Sequence, residues 1–301
     1  MSDEKNSTSL HLGHRIEIEN ALVDRLRNFP IRSWEAERFV TGGSCFRGEL
    51  LARLASSQGV EKRPVIQAAV AVELLHNASL VHDDLMDEDR MRRGRLSSYG
   101  ALGHDKSLLL GDALIAETFA ILAEMETDPE IRCRAVSLTA QTISIASIGQ
   151  AEQASRSINQ PCSLEDCLAW SRQKTGALIA LPVELACILA NDEDSRQSAH
   201  SAALQLGLAY QIKDDLLDWL GLKKGRSGSS DYRNKQWTVP LVFGESGESD
   251  IREKCLDLIE QAKTDFGASL NQMPPEYHGI LNTAAKALLQ MPSAFHQTQA
   301  I

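Results

Sequence analysis

Apolar residues recur at helical spacing over almost the whole chain, and two of the longest apolar segments end in the same acidic pattern. Residues 65–82 run into Asp83-Asp84-Leu85-Met86-Asp87, and residues 201–213 run into Asp214-Asp215-Leu216-Leu217-Asp218. On helices, this spacing stacks Asp83 over Asp87 and Asp214 over Asp218 on one face. Such stacks are unfavourable alone. Like charges one turn apart repel, and a helix C-terminus already carries partial negative charge. One such cluster reads as a solvated helix end. Two copies point to cations, and hard divalent ions such as Mg²⁺ prefer carboxylate oxygens shared with water and a substrate phosphate.

The same periodicity predicts helices over 15–28, 49–57, 64–84, 108–126, 130–153, 163–176, 178–190, 199–220, 250–270 and 275–290. No convincing run of alternating strand residues interrupts them, so the expected class is all-α. Pro64 suits a first helical turn, and Ser163 followed by Asp166 resembles a capped start. Residues 1–10 are polar and are expected to be disordered, leaving 11–301 as a single domain. A polar loop spans Lys223 to Asp231. The two acidic helix ends suggest two equivalent halves of one bundle lining one cavity.

Composition narrows the function classes. Hydrophobic residues make up 43% and charged residues 24%, as in a soluble globular protein. The net charge of −10 argues against nucleic acid or an anionic membrane as the main partner, so an anionic substrate needs local basic residues and metal. The cysteines Cys45, Cys133, Cys162, Cys167, Cys187 and Cys255 form no CxxC and no zinc spacing, and read as reduced core thiols. The N-terminal stretch has no apolar signal core, and no uninterrupted apolar run is long enough to span a bilayer. The expectation is a cytoplasmic protein without a transmembrane segment.

Basic residues stand near the acidic clusters. Arg92-Arg93-Gly94 follows the first, and guanidinium forks suit oxyanions, although they would equally neutralise the carboxylates beside them. Lys174-Thr175-Gly176 lies between apolar helices, where a lysine alone would more simply cap a helix carbonyl. Together these pieces describe metals, arginines and a lysine beside an oily helical cavity. The natural ligand is a diphosphate joined to a hydrocarbon, with metal drawing charge onto the departing group and apolar walls excluding water.

The motifs Glu73-Leu74-Leu75-His76, Ser79 to Asp87, Arg92-Arg93-Gly94, Gly111-Asp112-Ala113-Leu114, Lys174-Thr175-Gly176 and Tyr210 to Asp218 stand in the order of one family. The chain resembles the trans-isoprenyl diphosphate synthases, or polyprenyl synthetases, over residues 40–240. The resemblance implies an isoprenoid synthase helical bundle around a central cavity, a homodimer, and three Mg²⁺ bridging an allylic diphosphate. By position, Asp83 and Asp87 would ligate two metals and Asp214 the third, with Asp84, Asp215 and Asp218 in support. Arg92 and Lys174 would hold the allylic diphosphate, and Thr175 and Gln211 would line the reacting end. Arg93, His76 and Arg47 would belong to a second pocket for isopentenyl diphosphate. Ala78, five before the first aspartate, is the floor position. With no aromatic there, the pocket is expected to accept twenty carbons or more.

The second pocket departs from the family pattern. A Gly-Gly-Lys-x-x-Arg stretch is replaced by Gly42-Gly43-Ser44-Cys45-Phe46-Arg47, so Ser44 stands where a lysine is expected. Losing one charged contact to a phosphate costs about 1.5–3 kcal/mol, or about ten- to a hundred-fold in affinity. Gln236 replaces a lysine before Thr238-Val239-Pro240, with Lys235 and Arg226 as substitutes, and no lysine or arginine follows Lys286. Three readings remain open: an elongating prenyltransferase, a relative that cyclises its substrate or uses another acceptor, and a non-catalytic subunit.

Overall fold

The computed structural model describes residues 14–28, 36–222, 236–244 and 246–297. The N-terminal segment expected to be disordered lies outside them. Among the described residues the chain is helical throughout, and the one sheet is a two-stranded hairpin. The elements are α1 (Arg15–Arg27), α2 (Ala36–Val40), α3 (Phe46–Ser57), α4 (Lys62–Met86), β1 (Met91–Arg92), β2 (Arg95–Leu96), α5 (Ser98–Leu102), α6 (His104–Glu124) and α7 (Pro129–Ser155). There follow α8 (Leu164–Ser171), a π-helical turn (Arg172–Gly176), α9 (Ala177–Leu189), α10 (Glu193–Trp219), α11 (Val239–Val242), α12 (Glu248–Leu270), α13 (Pro275–Leu289) and α14 (Ser293–Gln297).

Each expected helix is present. α6 begins at His104 rather than 108, and α10 at Glu193 rather than 199. Their first turns are polar and carry no apolar signal, but acidic residues there (Asp105; Glu193 and Asp194) oppose the positive helix end favourably. The short helices α2, α5, α11 and α14 and the hairpin escaped the periodicity, being shorter than the pattern needs. The Ser163 capping box is formed as expected.

The described residues gather into two compact units. The first draws on Met1–Thr139, Pro182–Arg196 and Pro275–Thr283, and the second on Ala140–Leu181, Gln197–Pro274 and Ala284–Ile301. In the first unit α4 is the axis, with α1, α3 and α6 packed on it. Its alanines 68, 69, 71 and 78 are wholly or almost wholly buried, and small residues let neighbouring backbones come close. On α6, a side chain at Gly111 would run into the His82 ring. On α3, one at Gly48 would meet the Ala69 carbonyl at 3.0 Å. α1 buries Ile18, Leu22 and Leu26 as one stripe. By length and hydropathy α4 could cross a membrane, but 72% of its most apolar window is buried, as in the core helix of a globular protein.

The second unit is built on the later part of α10. Leu208, Ala209, Ile212 and Leu216 pack with Cys167 and Trp170 of α8, and with Ile251, Cys255 and Ile259 of α12. A Cβ on Gly207 would lie 2.5 Å from the Cα of Gly176. Two helical backbones touch there, and neither can yield by rotating a side chain. Four of the cysteines are core thiols as expected (45, 167, 187, 255). Cys133 is exposed and Cys162 half-buried, which corrects the expectation for those two.

The Gly207 contact yields a stability test. Gly207→Ala should lower the folding free energy by about 1–3 kcal/mol, as overpacking does, and move the urea midpoint down. Gly279→Ala, on an exposed stretch of α13 with open space at the Cβ, should be neutral or slightly stabilising. Equal midpoints for both variants would contradict the close approach.

Candidate functional site

The C-terminal turn of α4 carries the first acidic cluster. Asp83 is half-buried, Asp87 is the C-cap, and Asp84 is 3% exposed. Asp84 has turned inward to Arg92. The Arg92 Nε donates to both its oxygens at 2.8 and 2.9 Å, and Nη2 lies 2.8 Å from Oδ1. Burial opposes the arginine's charge, but these bonds and the Asp84 charge outweigh it, so its pKa is raised. Of the two uses foreseen for the arginines, Arg92 therefore performs the neutralising one in this structure.

The hairpin that delivers Arg92 is set by its turn. Arg93 (φ 52°) and Gly94 (φ 75°) both lie at positive φ, as a two-residue type I′ turn requires, and Arg92 faces Arg95 across it. Arg93 and Arg95 reach the loop before α3. A Cβ on Gly43 would lie 2.9 Å from Arg93 Nη1, and one on Gly42 would lie 3.6 Å from Arg95 Nη2. Arg95 Nη2 also donates to the Thr41 carbonyl at 2.6 Å. The paired glycines thus leave room for two guanidiniums. Burial and the neighbouring charges of Arg92 and Arg95 lower the Arg93 pKa, although Glu73 counters them.

Beneath this loop, Arg47 Nη1 lies 3.1 Å from His76 Nε2. A guanidinium only donates, so Nε2 accepts and the ring's proton sits on Nδ1. Burial and the charges of Arg47, Arg93 and Arg92 hold the His76 pKa well below its usual range, which keeps the ring neutral. Its Nδ1 is buried and has no hydrogen-bond partner. A buried donor without an acceptor is costly, and one on a ring under the charge of three arginines is suited to an anion. The carboxylate of Glu73 accepts from the Gly48 backbone at 2.7 Å and ties α3 to α4. Ser44 is exposed in the same loop. Ala78 is fully buried in α4. A cleft in this unit is lined by Phe39, Asn77, Leu80, Asp84 and the three hairpin arginines, among others.

The second unit joins three of the expected residues in a hydrogen-bonded chain. Thr175 Oγ1 donates to Gln211 Oε1 at 2.5 Å, and Gln211 Nε2 donates to Asp215 Oδ1 at 2.6 Å. Thr175 and Lys174 sit in the π-helical turn, a distortion often found at functional positions. Lys174 Nζ donates to Gln153 Oε1 at 2.6 Å, so it does not cap a helix carbonyl as the isolated motif suggested. Gln153 in turn donates to the Trp237 carbonyl at 2.8 Å. Asp214 is half-buried, while Asp215 and Asp218 are 6% and 1% exposed. Lys235 and Arg226 lie outside the described residues.

Sequence reasoning passed over Arg95, Glu73 as a tie, and Gln153. The Arg-Gly pair before Arg95 was a usable turn signal. Nothing in the sequence marks Gln153 as the partner of Lys174.

Residues 35–272 match the model of the polyprenyl synthetase family. The chain belongs to that family. It is 36% identical over 203 residues to a geranylgeranyl pyrophosphate synthase of Geoglobus acetivorans, a match covering 67% of this chain and 64% of that protein. It is 32% identical over 204 residues to a (2E,6E)-farnesyl diphosphate synthase of Mycobacterium tuberculosis, covering 67% and 56%. The chain thus spans less than two thirds of either relative. Among solved structures it resembles a polyprenyl synthase of Caulobacter crescentus complexed with calcium and isoprenyl diphosphate. The TM-score is 0.80 at 24% identity, over 92% of this chain and 94% of that one. The fold of this polyprenyl synthetase is the all-α isoprenoid synthase bundle.

The contrast between neighbouring aspartates is testable by unfolding. Asp84→Ala strands the Arg92 guanidinium and should cost about 1.5–3 kcal/mol of stability. Asp83→Ala leaves the Arg92–Asp84 bond in place and relieves repulsion with Asp87, so its loss should be smaller. Equal losses in urea titrations of the two variants would contradict the assignment of Asp84 as the structural member.

Proposed function

We propose that this polyprenyl synthetase is a Mg²⁺-dependent trans-prenyltransferase that ionises an allylic isoprenoid diphosphate and condenses it with isopentenyl diphosphate. The observation that carries the reading is the division within the first cluster. Asp84 is committed to Arg92, and its half-buried neighbours Asp83 and Asp87 frame the end of α4. The activities of the two relatives support it.

The donor set fits the metal. Among the described residues no group of three or more histidine, cysteine, aspartate or glutamate side chains is arranged to hold an ion unaided. Mg²⁺ does not need one, since it commonly takes one or two carboxylates and fills its shell with water and substrate phosphate. Asp83 and Asp87 would hold two of three ions and Asp214 the third, with Asp84, Asp215 and Asp218 in support. When bound, the metal supplies Lewis-acid stabilisation of the departing diphosphate.

The chain's own groups do the rest. Arg92 and Lys174 are each suited to a diphosphate oxygen, and each is already oriented by one partner, Asp84 and Gln153 respectively. Thr175 donates its proton to Gln211, which leaves the hydroxyl lone pairs for positive charge at the reacting carbon. Asp215 fixes Gln211 in turn.

Arg47, Arg93 and His76 form the second pocket, which Ser44 weakens by one cation. Arg95, bound to Thr41 beside Gly42, supplies a cation to the same loop. The unpartnered His76 Nδ1–H is the donor that a diphosphate oxygen would satisfy. Ala78 leaves room for a long tail. The enzyme works as a cytoplasmic homodimer without nucleic acid. Ser44 and Gln236 also favour a second reading, in which the allylic cation cyclises or meets a different acceptor.

Product analysis with Mg²⁺ and farnesyl diphosphate, with and without isopentenyl diphosphate, tests the proposal. The expected product is a prenyl diphosphate of twenty carbons or more, formed only with isopentenyl diphosphate. Its KM should rise in Arg95→Ala and fall in Ser44→Lys, each roughly ten-fold, as for one charged phosphate contact. A hydrocarbon or alcohol formed without isopentenyl diphosphate would establish the second reading. Absence of any Mg²⁺-dependent diphosphate release would overturn both.

A further inference from the structure

All the cysteines among the described residues are free thiols, but two of them touch: Cys162 Sγ and Cys167 Sγ are 3.6 Å apart. A capping box brings them together. Ser163 Oγ accepts from the Asp166 backbone at 3.1 Å, and Asp166 Oδ2 accepts from the Ser163 backbone at 3.1 Å. In such a box the residue before the cap packs on the fourth residue of the helix, normally as two apolar side chains. Here both positions are cysteines, so the usual apolar staple is made of two thiols.

Their surroundings differ. Cys162 is half-buried and within reach of a small reagent, whereas Cys167 is 3% exposed and packs with Ala209, Ile212 and Leu216 of α10. α8 continues directly into the π-helical turn that carries Lys174 and Thr175. Arg156 Nη1 donates to the Pro161 carbonyl at 3.1 Å, which restrains the residue next to Cys162. Closing this 3.6 Å gap to a disulfide's bond length of about 2.0 Å needs a sulfur movement of about 1.6 Å.

We propose that Cys162 and Cys167 form a reversible disulfide that locks the start of α8, with a low-molecular-weight disulfide such as oxidised glutathione as the oxidant. The Cys162 thiolate attacks a sulfur of the oxidant, giving a mixed disulfide and expelling one thiolate. The Cys167 thiolate then attacks the Cys162 sulfur and expels the second. Two S–H bonds and one S–S bond are broken, one S–S bond forms in the protein, and the two protons pass to the released thiolates. Burial raises the pKa of both thiols, so the exchange is slow at neutral pH, and the more accessible Cys162 reacts first. This proposal does not depend on the activity assigned to the enzyme.

The full chain is fully reduced, exposed to oxidised glutathione, alkylated, and digested with trypsin. Cys162 and Cys167 fall in one peptide, residues 157–172, between Arg156 and Arg172. The expected result is that this peptide escapes alkylation and is lighter by two hydrogen atoms than its reduced form. Dithiothreitol should restore both alkylation sites. Cys162→Ser should leave Cys167 fully alkylated, while exposed Cys133 carries a glutathione adduct in both proteins. Hydrogen exchange across 163–171 should slow in the oxidised protein. Recovery of the peptide with both thiols alkylated, or with glutathione on Cys162 alone, overturns the proposal.

Discussion

The bond between Arg92 and Asp84 is the constraint on which the charged cluster of the first unit depends. A long apolar helix that ends in three aspartates is electrostatically frustrated, because the helix end and the like charges all oppose a further negative group. Turning Asp84 inward and clamping it with a guanidinium removes one of those charges from the cluster. The same bond anchors the hairpin, and the hairpin's type I′ turn then throws Arg93 and Arg95 over the glycine loop. One ion pair therefore orders carboxylates on one side and cations on the other.

That arrangement leaves unbalanced charge where the proposed anions would bind. Arg93 is destabilised by its neighbouring arginines, and His76 is driven neutral by burial and the same cations, with a donor left unsatisfied. Stability alone would favour fewer cations here. Energy held in such a cluster is recovered when an anion arrives, which is how a phosphate pocket differs from a surface salt-bridge network. A serine at position 44 adds no further cation to this cluster.

Much of the fold was legible because its helices are long and amphipathic or buried, and period 3.6 survives in them. α4 could be read almost end to end and α10 from 199 onward, and the capping box at Ser163 announced α8. The polar first turns of α6 and α10 were not legible, since they bury too little to leave a pattern. The aspartate clusters and Arg92 could be picked out by residue type and spacing, and Thr175 through the family resemblance. Their partners could not. That Asp84 rather than Asp83 takes Arg92, that Lys174 meets Gln153 instead of a carbonyl, and that Arg95 shares the loop with Arg93 all follow from turn geometry and packing. The thiol pair is intermediate, for its five-residue spacing is visible in the sequence but only the capped helix start brings the sulfurs together.

The central claim is that the carboxylates left beside the Arg92–Asp84 bond bind diphosphate through divalent metal. Calorimetric titration of inorganic diphosphate into the full chain, with Mg²⁺ and then with chelator, tests it most directly. The account predicts saturable heat only with Mg²⁺, strongly reduced in Asp83→Ala despite normal folding. Equal binding without metal, or an unchanged Asp83→Ala titration, would contradict it.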